Sequence, residues 1–222
     1  YSAGYLDIMN TWYGHNIPIG TVTDCSNIDN ADNFVRATCL LEKDGVPVFE
    51  RTVKKHADFP KAVPLYRKIL AAQPDHSVYI ISVGFFTNLA QLLDTHADEY
   101  SPLTGKELVA QKVKLLSTMM GHFTDPEFAE FNVMCDVPAA RKVMNEWPTE
   151  IVASPFELGN AILYPGASIE NDFKWTDYHP MVVGYENYLS MPYDRQTWDL
   201  TSVLYVVEKD KNFFGTSGPG KI

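Results

Sequence analysis

The chain has few cysteines, no long apolar run and no cluster of basic residues, and each shortage removes a class of function. Its three cysteines, Cys25, Cys39 and Cys135, show no C-x-x-C spacing, so neither a zinc ribbon nor a full disulfide framework is available. They read as small buried hydrophobes. No apolar stretch approaches the roughly 20 residues that cross a bilayer, so no membrane partner is expected. With a net charge of -10 and basic residues no denser than pairs such as Lys54-Lys55, no nucleic-acid partner is expected either, because phosphate neutralisation needs a concentrated positive surface. A G-x-S-x-G nucleophile elbow is also missing, which excludes the commonest serine-hydrolase arrangement. What remains is a chain of 222 residues, 45% hydrophobic and 13% aromatic, long and apolar enough to bury the core of one domain.

Periodicity alternates along the chain. Ala3 to Gly14 reads as a helix ended by glycine, Ile17 to Val22 as a short strand, and Asn27 to Leu41 as a segment holding a second helix. Glu42 to His56 is polar and turn-rich around Lys43-Asp44-Gly45. A helix is expected over Lys61 to Ala72, stopped by Pro74-Asp75, and a buried strand over Val78 to Val83, closed by Gly84. A helix over Thr87 to Thr95 and a second strand over Val113 to Met120, closed by Gly121, repeat the pattern. Asp136 caps the next helix with Pro138 in its first turn. Ile151 to Ala153 is a third strand, Pro155 to Ile162 a helix, and Tyr164 to Thr176 a loop. Met181 to Leu189 and Leu200 to Val207 are the last helices. The fold class is therefore α/β, a mostly parallel open sheet with helices on both faces.

In such sheets ligands sit beyond the carboxyl ends of the strands. Three polar stretches fall there: Val83-Gly84-Phe85-Phe86-Thr87-Asn88, Glu130-Phe131-Asn132 and Arg195-Gln196-Thr197-Trp198-Asp199-Leu200. In the second, read as an extended segment, alternation places Glu130 and Asn132 on one face, a carboxylate beside an amide, which suits sugar hydroxyls as well as it suits a solvated edge. Asp199 is a metal-ligand candidate and equally a helix N-cap; Trp198 is a stacking surface or a core residue. Among the histidines, His179 in Tyr178-His179-Pro180 reads first as the cap of the helix that follows it, with general-acid work as the alternative. His15, His56, His76 and His96 read as surface residues. Trp12 and Trp147 read as helix-packing residues, and Trp175, in the loop before His179, as a candidate mobile aromatic over the pocket.

The order of these pieces resembles the nucleoside hydrolase family, the inosine-uridine preferring type and its relatives, over nearly the whole chain. Ser82-Val83-Gly84-Phe85-Phe86-Thr87-Asn88-Leu89-Ala90 is similar to the family's T-G-P-L-T-N-[LI]-A stretch, and Met119-Met120-Gly121-His122 to its M-G-G turn. Glu130-Phe131-Asn132-Val133-Met134-Cys135-Asp136-Val137-Pro138-Ala139-Ala140 is close to E-F-N-x-x-x-D-P-x-A-A, the specific match. Trp198-Asp199 stands where the family places a base-side residue followed by its late metal-binding aspartate. Tryptophan at that place resembles the purine-preferring members. The resemblance implies hydrolysis of the N-glycosidic bond of a small-molecule nucleoside to base and ribose, with a bound Ca²⁺ holding water and the ribose diol. It implies Asp199 and the Val83 carbonyl as metal ligands, and Glu130, Asn132, Met120 and Asp199 against the ribose. Trp198 would stack on the base, and a homo-oligomer would be the assembly.

The departures are equally specific. The family's opening strand carries a D-x-D-x-x-x-D-D cluster that supplies the remaining carboxylates and the catalytic base, and no such cluster is found in this chain. Asp24 to Asp32 and Asp94 to Glu99 lack the spacing. The expectation is a single nucleoside hydrolase-like domain over 1–222, an internal fragment truncated at both ends, in which no catalytic base is assigned. The alternative is a noncatalytic member of the same fold that binds a ribosyl or sugar ligand. His122 for the second glycine and Thr124 for a sugar-binding asparagine are smaller departures. The compartment is left open.

Overall fold

A computed structural model describes residues 1–25 and 34–220 of the chain. In chain order the helices are α1 (Ser2–Trp12), α2 (Phe34–Cys39), α3 (Ala62–Ala71), α4 (Thr87–Leu93), α5 (Gly105–Lys112) and α6 (Phe131–Met134). They continue as α7 (Val137–Glu146), α8 (Phe156–Ala161), α9 (Gly166–Asn171), α10 (Pro180–Tyr188) and α11 (Trp198–Val207). The strands that matter are β1 (Glu42–Lys43), β2 (Val46–Pro47), β3 (Val78–Ser82), β4 (Val113–Met119) and β5 (Glu150–Ser154). No helix among the described residues is long and apolar enough to cross a membrane.

These elements form two compact units. One gathers Tyr1–Thr23, the described part of Ile28–Ala62, and Tyr164–Arg195; the other takes Val63–Leu163 and the described part of Gln196–Ile222, with Asp24 and Cys25. In the first unit, Ile8, Cys39, Phe49 and Val183 form a small core, with Tyr5, Trp12 and Tyr178 packed against it. The β1–β2 hairpin turns at Asp44 and Gly45, both at positive φ, which is the chemistry an Asp-Gly turn supplies. His179 caps α10 as its position suggested: Nδ1 accepts the Met181 N–H at 3.2 Å, so the ring proton sits on Nε2, which donates to the Tyr13 hydroxyl at 3.1 Å. Burial holds this histidine below its ordinary range.

The second unit carries the sheet, a parallel array in the order β3-β4-β5. The apolar runs at Val78, Val113 and Ile151 thus form strands as their composition predicts; the central strand β4 is almost wholly buried and needs no alternation, while β3 and β5 flank it half-buried. Their inward residues, with Phe86, Leu89 and Leu92 of the α4 region and Val143 and Trp147 of the α7 region, make the main core. Each fully buried large apolar side chain there contributes roughly 1.5–3 kcal/mol.

Local chemistry overrides the sequence reading at several places. Ile17 to Val22 makes no strand, only a bridge from Thr21 to Lys61, because Pro18 has no N–H and Gly20 weakens extended pairing. The expected loop from Tyr164 contains α9, whose one deeply buried apolar residue, Ile169, offers no periodicity to read. Helix α5 follows a capping box in which the Thr104 hydroxyl accepts the Glu107 N–H and the Glu107 carboxylate accepts the Thr104 N–H. Of the cysteines, Cys39 is buried, Cys135 is half-buried and Cys25 is exposed, against the expectation for the last. His15, His56, His76 and His96 are exposed as expected, Trp147 is core, and Trp175 is 68% exposed. The start of the helix expected from Asn27, and most of the acidic run from Asp24 to Asp32, lie outside the described residues.

Candidate functional site

Strand β4 ends at Met119 and the chain turns at Gly121, which takes a positive φ of 73° that a side chain would strain. Its N–H points back at Glu130. That carboxylate is 4% exposed and caps α6: Oε1 accepts the Asn132 N–H at 2.9 Å, and Oε2 accepts those of Val133 at 3.2 Å and Gly121 at 3.0 Å. The extended geometry expected for Glu130 to Asn132 is therefore replaced by a cap and a helical turn, since a carboxylate at this position satisfies three backbone donors that would otherwise be orphaned. Oε1 carries a single N–H and keeps accepting capacity. Asn132 is held by its amide donating to the Met119 carbonyl at 3.1 Å. Met120, the next residue along the chain after Met119, is 2% exposed and part of the main core.

Asp136 caps α7 through the Ala139 N–H at 3.2 Å, as its sequence position predicts, and also accepts the Thr87 hydroxyl at 2.5 Å. That bond ties the start of α4, just beyond β3, to the end of the Glu130 segment. Asn88 donates to the Tyr66 hydroxyl at 3.3 Å. Val83 follows β3 with its side chain 41% exposed. Asp199 is the second residue of α11 and exposed; the N-cap is Thr197, so the capping role open to Asp199 in the sequence is not the one it takes.

Trp198 opens α11 against α8. The Thr197 N–H donates to the carbonyls of Gly159 and Ile162 at 3.1 and 3.0 Å, and Gly159 lies so close that a Cβ there would meet the Trp198 Cα at 2.3 Å. The Trp198 ring stacks on Phe156, centroids 5.6 Å apart and planes 30° apart. Phe156 in turn stacks on His122 at 5.6 Å and contacts Phe128 at 4.7 Å. An aromatic row of His122, Phe128, Phe156 and Trp198 thus lines the carboxyl ends of β4 and β5. Its middle members went unread in the sequence; two phenylalanines shortly beyond the carboxyl ends of neighbouring strands are the signal that could have found them. His122 is oriented through one ring nitrogen: Nδ1 accepts the Asp125 N–H at 3.1 Å, and the Glu157 carboxylate stands 3.6 Å from the same atom.

These residues lie at the carboxyl end of the sheet. Glu130, Asn132, Asp136, Trp198 and the turn at Gly121 are held by backbone hydrogen bonds or ring contacts. Among the described residues, no group of three or more His, Cys, Asp or Glu side chains is placed to hold a metal ion. Replacing Glu130 by Ala is expected to cost about 1–3 kcal/mol, because it leaves buried N–H groups of Gly121, Asn132 and Val133 unpaired. Urea unfolding measures it; a loss under about 0.5 kcal/mol, the range of ordinary surface substitutions, would show that water replaces the cap.

A family profile described as "Inosine-uridine preferring nucleoside hydrolase" matches residues 5–217. Among solved structures the chain is similar to an inosine-guanosine nucleoside hydrolase, with 17% identity and a TM-score of 0.66 over 94% of this chain and 67% of that one. It is also similar to a plant nucleoside hydrolase, with 15% identity and a TM-score of 0.62 over 94% and 66%. An inosine-uridine preferring nucleoside hydrolase from Bacillus anthracis gives 17% and 0.61 over 94% and 68%. The chain spans about two thirds of the length of these structures. No curated protein matches it in sequence.

Proposed function

Because the chain belongs to the inosine-uridine preferring nucleoside hydrolase family, we propose that it serves hydrolysis of the N-glycosidic bond of purine ribonucleosides. Nucleoside hydrolysis is the family's chemistry, and a small-molecule nucleoside is the substrate it implies. The observation that carries the purine reading is the stacked pair of Trp198 and Phe156 beside the Gly121 turn. A flat, electron-rich wall suits a bicyclic base, and such stacking contributes roughly 1–3 kcal/mol per base. Glu130 through its spare Oε1 valence, Asn132 and Met120 are the proposed ribose contacts, with Asp199 on the diol.

The family is in general metal-dependent, and Ca²⁺ is the proposed ion, with Asp199 and the Val83 carbonyl as its ligands in this chain. A hard cation of that size takes 6–8 oxygen ligands. The described residues do not fit it by themselves, since the Glu130 carboxylate is engaged by three N–H groups and Asp136 by Thr87 and Ala139. No catalytic step is therefore assigned to the ion, and no residue here is assigned as the base that activates water. The same shortage of carboxylates favours a second reading, a noncatalytic member that binds a ribosyl ligand.

Calorimetric titration of inosine into the protein tests the proposal. Binding is expected, weakened about tenfold by Trp198→Ala, as stacking of this strength requires, with ribose binding unchanged. Binding of inosine that Trp198→Ala leaves intact would overturn the base-stacking role. If Ca²⁺ strengthens inosine binding and Asp199→Ala removes that gain, the hydrolase reading stands. Binding indifferent to both Ca²⁺ and Asp199→Ala supports the noncatalytic one.

A further inference from the structure

The opposite end of the same sheet carries a second constellation. Val78 pairs with Val113, but the next pair is Tyr79 with Leu115, so Lys114 is the extra residue of a β-bulge. Bulges re-aim side chains, and they concentrate near functional sites. The Lys114 ammonium lies 5.6 Å from the Tyr79 ring centroid. Lys209, from the turn after α11, approaches the same ring at 5.6 Å, and its Nζ is 3.4 Å from the Tyr79 hydroxyl. Two cations from separate elements thus converge on one phenol. Their hydrogen bonds hold it below the ordinary tyrosine range, so this point of the surface stabilises negative charge on an oxygen atom.

This cluster opens into a cavity of about 370 Å³ whose other walls include Tyr205, Phe213 and Phe214. Two carboxylates also line it: Glu208 is paired with Lys211 at 3.1 Å, and Glu150 stands at the start of β5. The aromatic residues bring flat apolar surface beside the ammonium pair, and Phe213 is 58% exposed. Tyr79, Lys114 and Glu150 sit at the amino ends of their strands, a strand's length from the carboxyl-end site, and the inference does not rest on the reading of that site.

We propose that this pocket binds a small aromatic molecule bearing an anionic oxygen group, an aryl phosphate or aryl carboxylate. The ammonium groups of Lys114 and Lys209 take the anion in charge-assisted hydrogen bonds, and the ring lies on the Phe213, Phe214 and Tyr205 wall. A bare anion gains only the first contact, and a neutral ring only the second.

Phenyl phosphate is the probe, titrated against the full chain and followed by amide chemical shifts, with inorganic phosphate and phenol as the two halves. Phenyl phosphate is expected to bind about tenfold more tightly than either half, and the double variant Lys114→Met with Lys209→Met to weaken it about tenfold, since charge-assisted bonds are the stronger contacts. Both lysines are exposed, so the variant keeps its fold, which circular dichroism checks. Tyr79→Phe, which keeps the ring under both ammonium groups, is expected to retain binding. No saturable shift, or one unchanged in the lysine variant, overturns the site. Inorganic phosphate binding as tightly as phenyl phosphate overturns its aromatic half.

Discussion

Arg67→Ala is expected to destabilise the protein by about 2–5 kcal/mol, the range for truncating a large buried side chain to alanine, while Asp98, itself exposed, is left to water. Arg67 is 2% exposed, and each nitrogen of its guanidinium donates a hydrogen bond. Nε donates to Asp98 at 2.5 Å and Nη2 to the other Asp98 oxygen at 2.9 Å, a bidentate pair; Nη1 donates to the Thr95 hydroxyl at 2.8 Å. Nη2 also reaches the carbonyls of Ser101 and Leu103 at 3.2 and 2.9 Å. One side chain of α3 therefore staples the whole connection between α4 and α5, and Asp98 extends the staple by accepting the Tyr100 and Ser101 N–H groups. Arg67→Lys is expected to recover little, because a point ammonium cannot replace a planar fork. The pH dependence follows from sign. Arg67 first, then the backbone donors of Ser101 and Tyr100, hold the Asp98 carboxyl below the usual carboxylate range. A depressed folded-state pKa contributes stability that is present above the unfolded value, near 4, and lost as pH falls through the folded one. Urea unfolding at pH 7 and at about pH 3 should show the wild type losing part of its advantage over Arg67→Ala on acidification. Equal stabilities at pH 7 would show the staple to be dispensable.

The second large effect is expected from Gly159→Ala. A Cβ there would lie 2.3 Å from the Trp198 Cα and 2.6 Å from its nitrogen, backbone against backbone, where no rotamer change gives relief. Overpacking typically costs about 1–3 kcal/mol, and this contact belongs at or above the top of that range. It should also push α11 off α8, breaking the Thr197 hydrogen bonds and the ring stack on Phe156. Thermal unfolding measures the first consequence, and loss of inosine affinity at a temperature where the variant is folded measures the second. Gly215→Ala, with nothing within 4 Å of the added methyl, is the control. A Gly159→Ala protein as stable as that control would contradict the close approach.

The sheet was legible because three short apolar runs alternate with helical stretches and two of them close on glycine, at Gly84 and Gly121, and Asp136 was legible because an acidic cap followed by proline has one local meaning. The segment around Glu130 was misread in conformation for a general reason. Spacing says which side chains share a face only after the backbone state is known, and a capping carboxylate sets that state itself. Helix α9 and the aromatic row are tertiary facts: Ile169, Phe128 and Phe156 gain their roles from neighbours distant in sequence. Nor does spacing reveal that Lys114 is out of register, because a bulge is a property of two strands together.

Parallel pairing also governs how the second unit can come into being. Tyr79 must find Leu115, and Leu116 must find Ile151, and no tight hairpin can bring either pair together. Each closure orders a long stretch of chain before the sheet returns any stabilisation, so the nucleus is costly and folding is slow compared with a helical bundle of the same size. During synthesis β3 leaves the ribosome before β4, and its apolar side chains have no neighbouring strand to pack against until β4 follows.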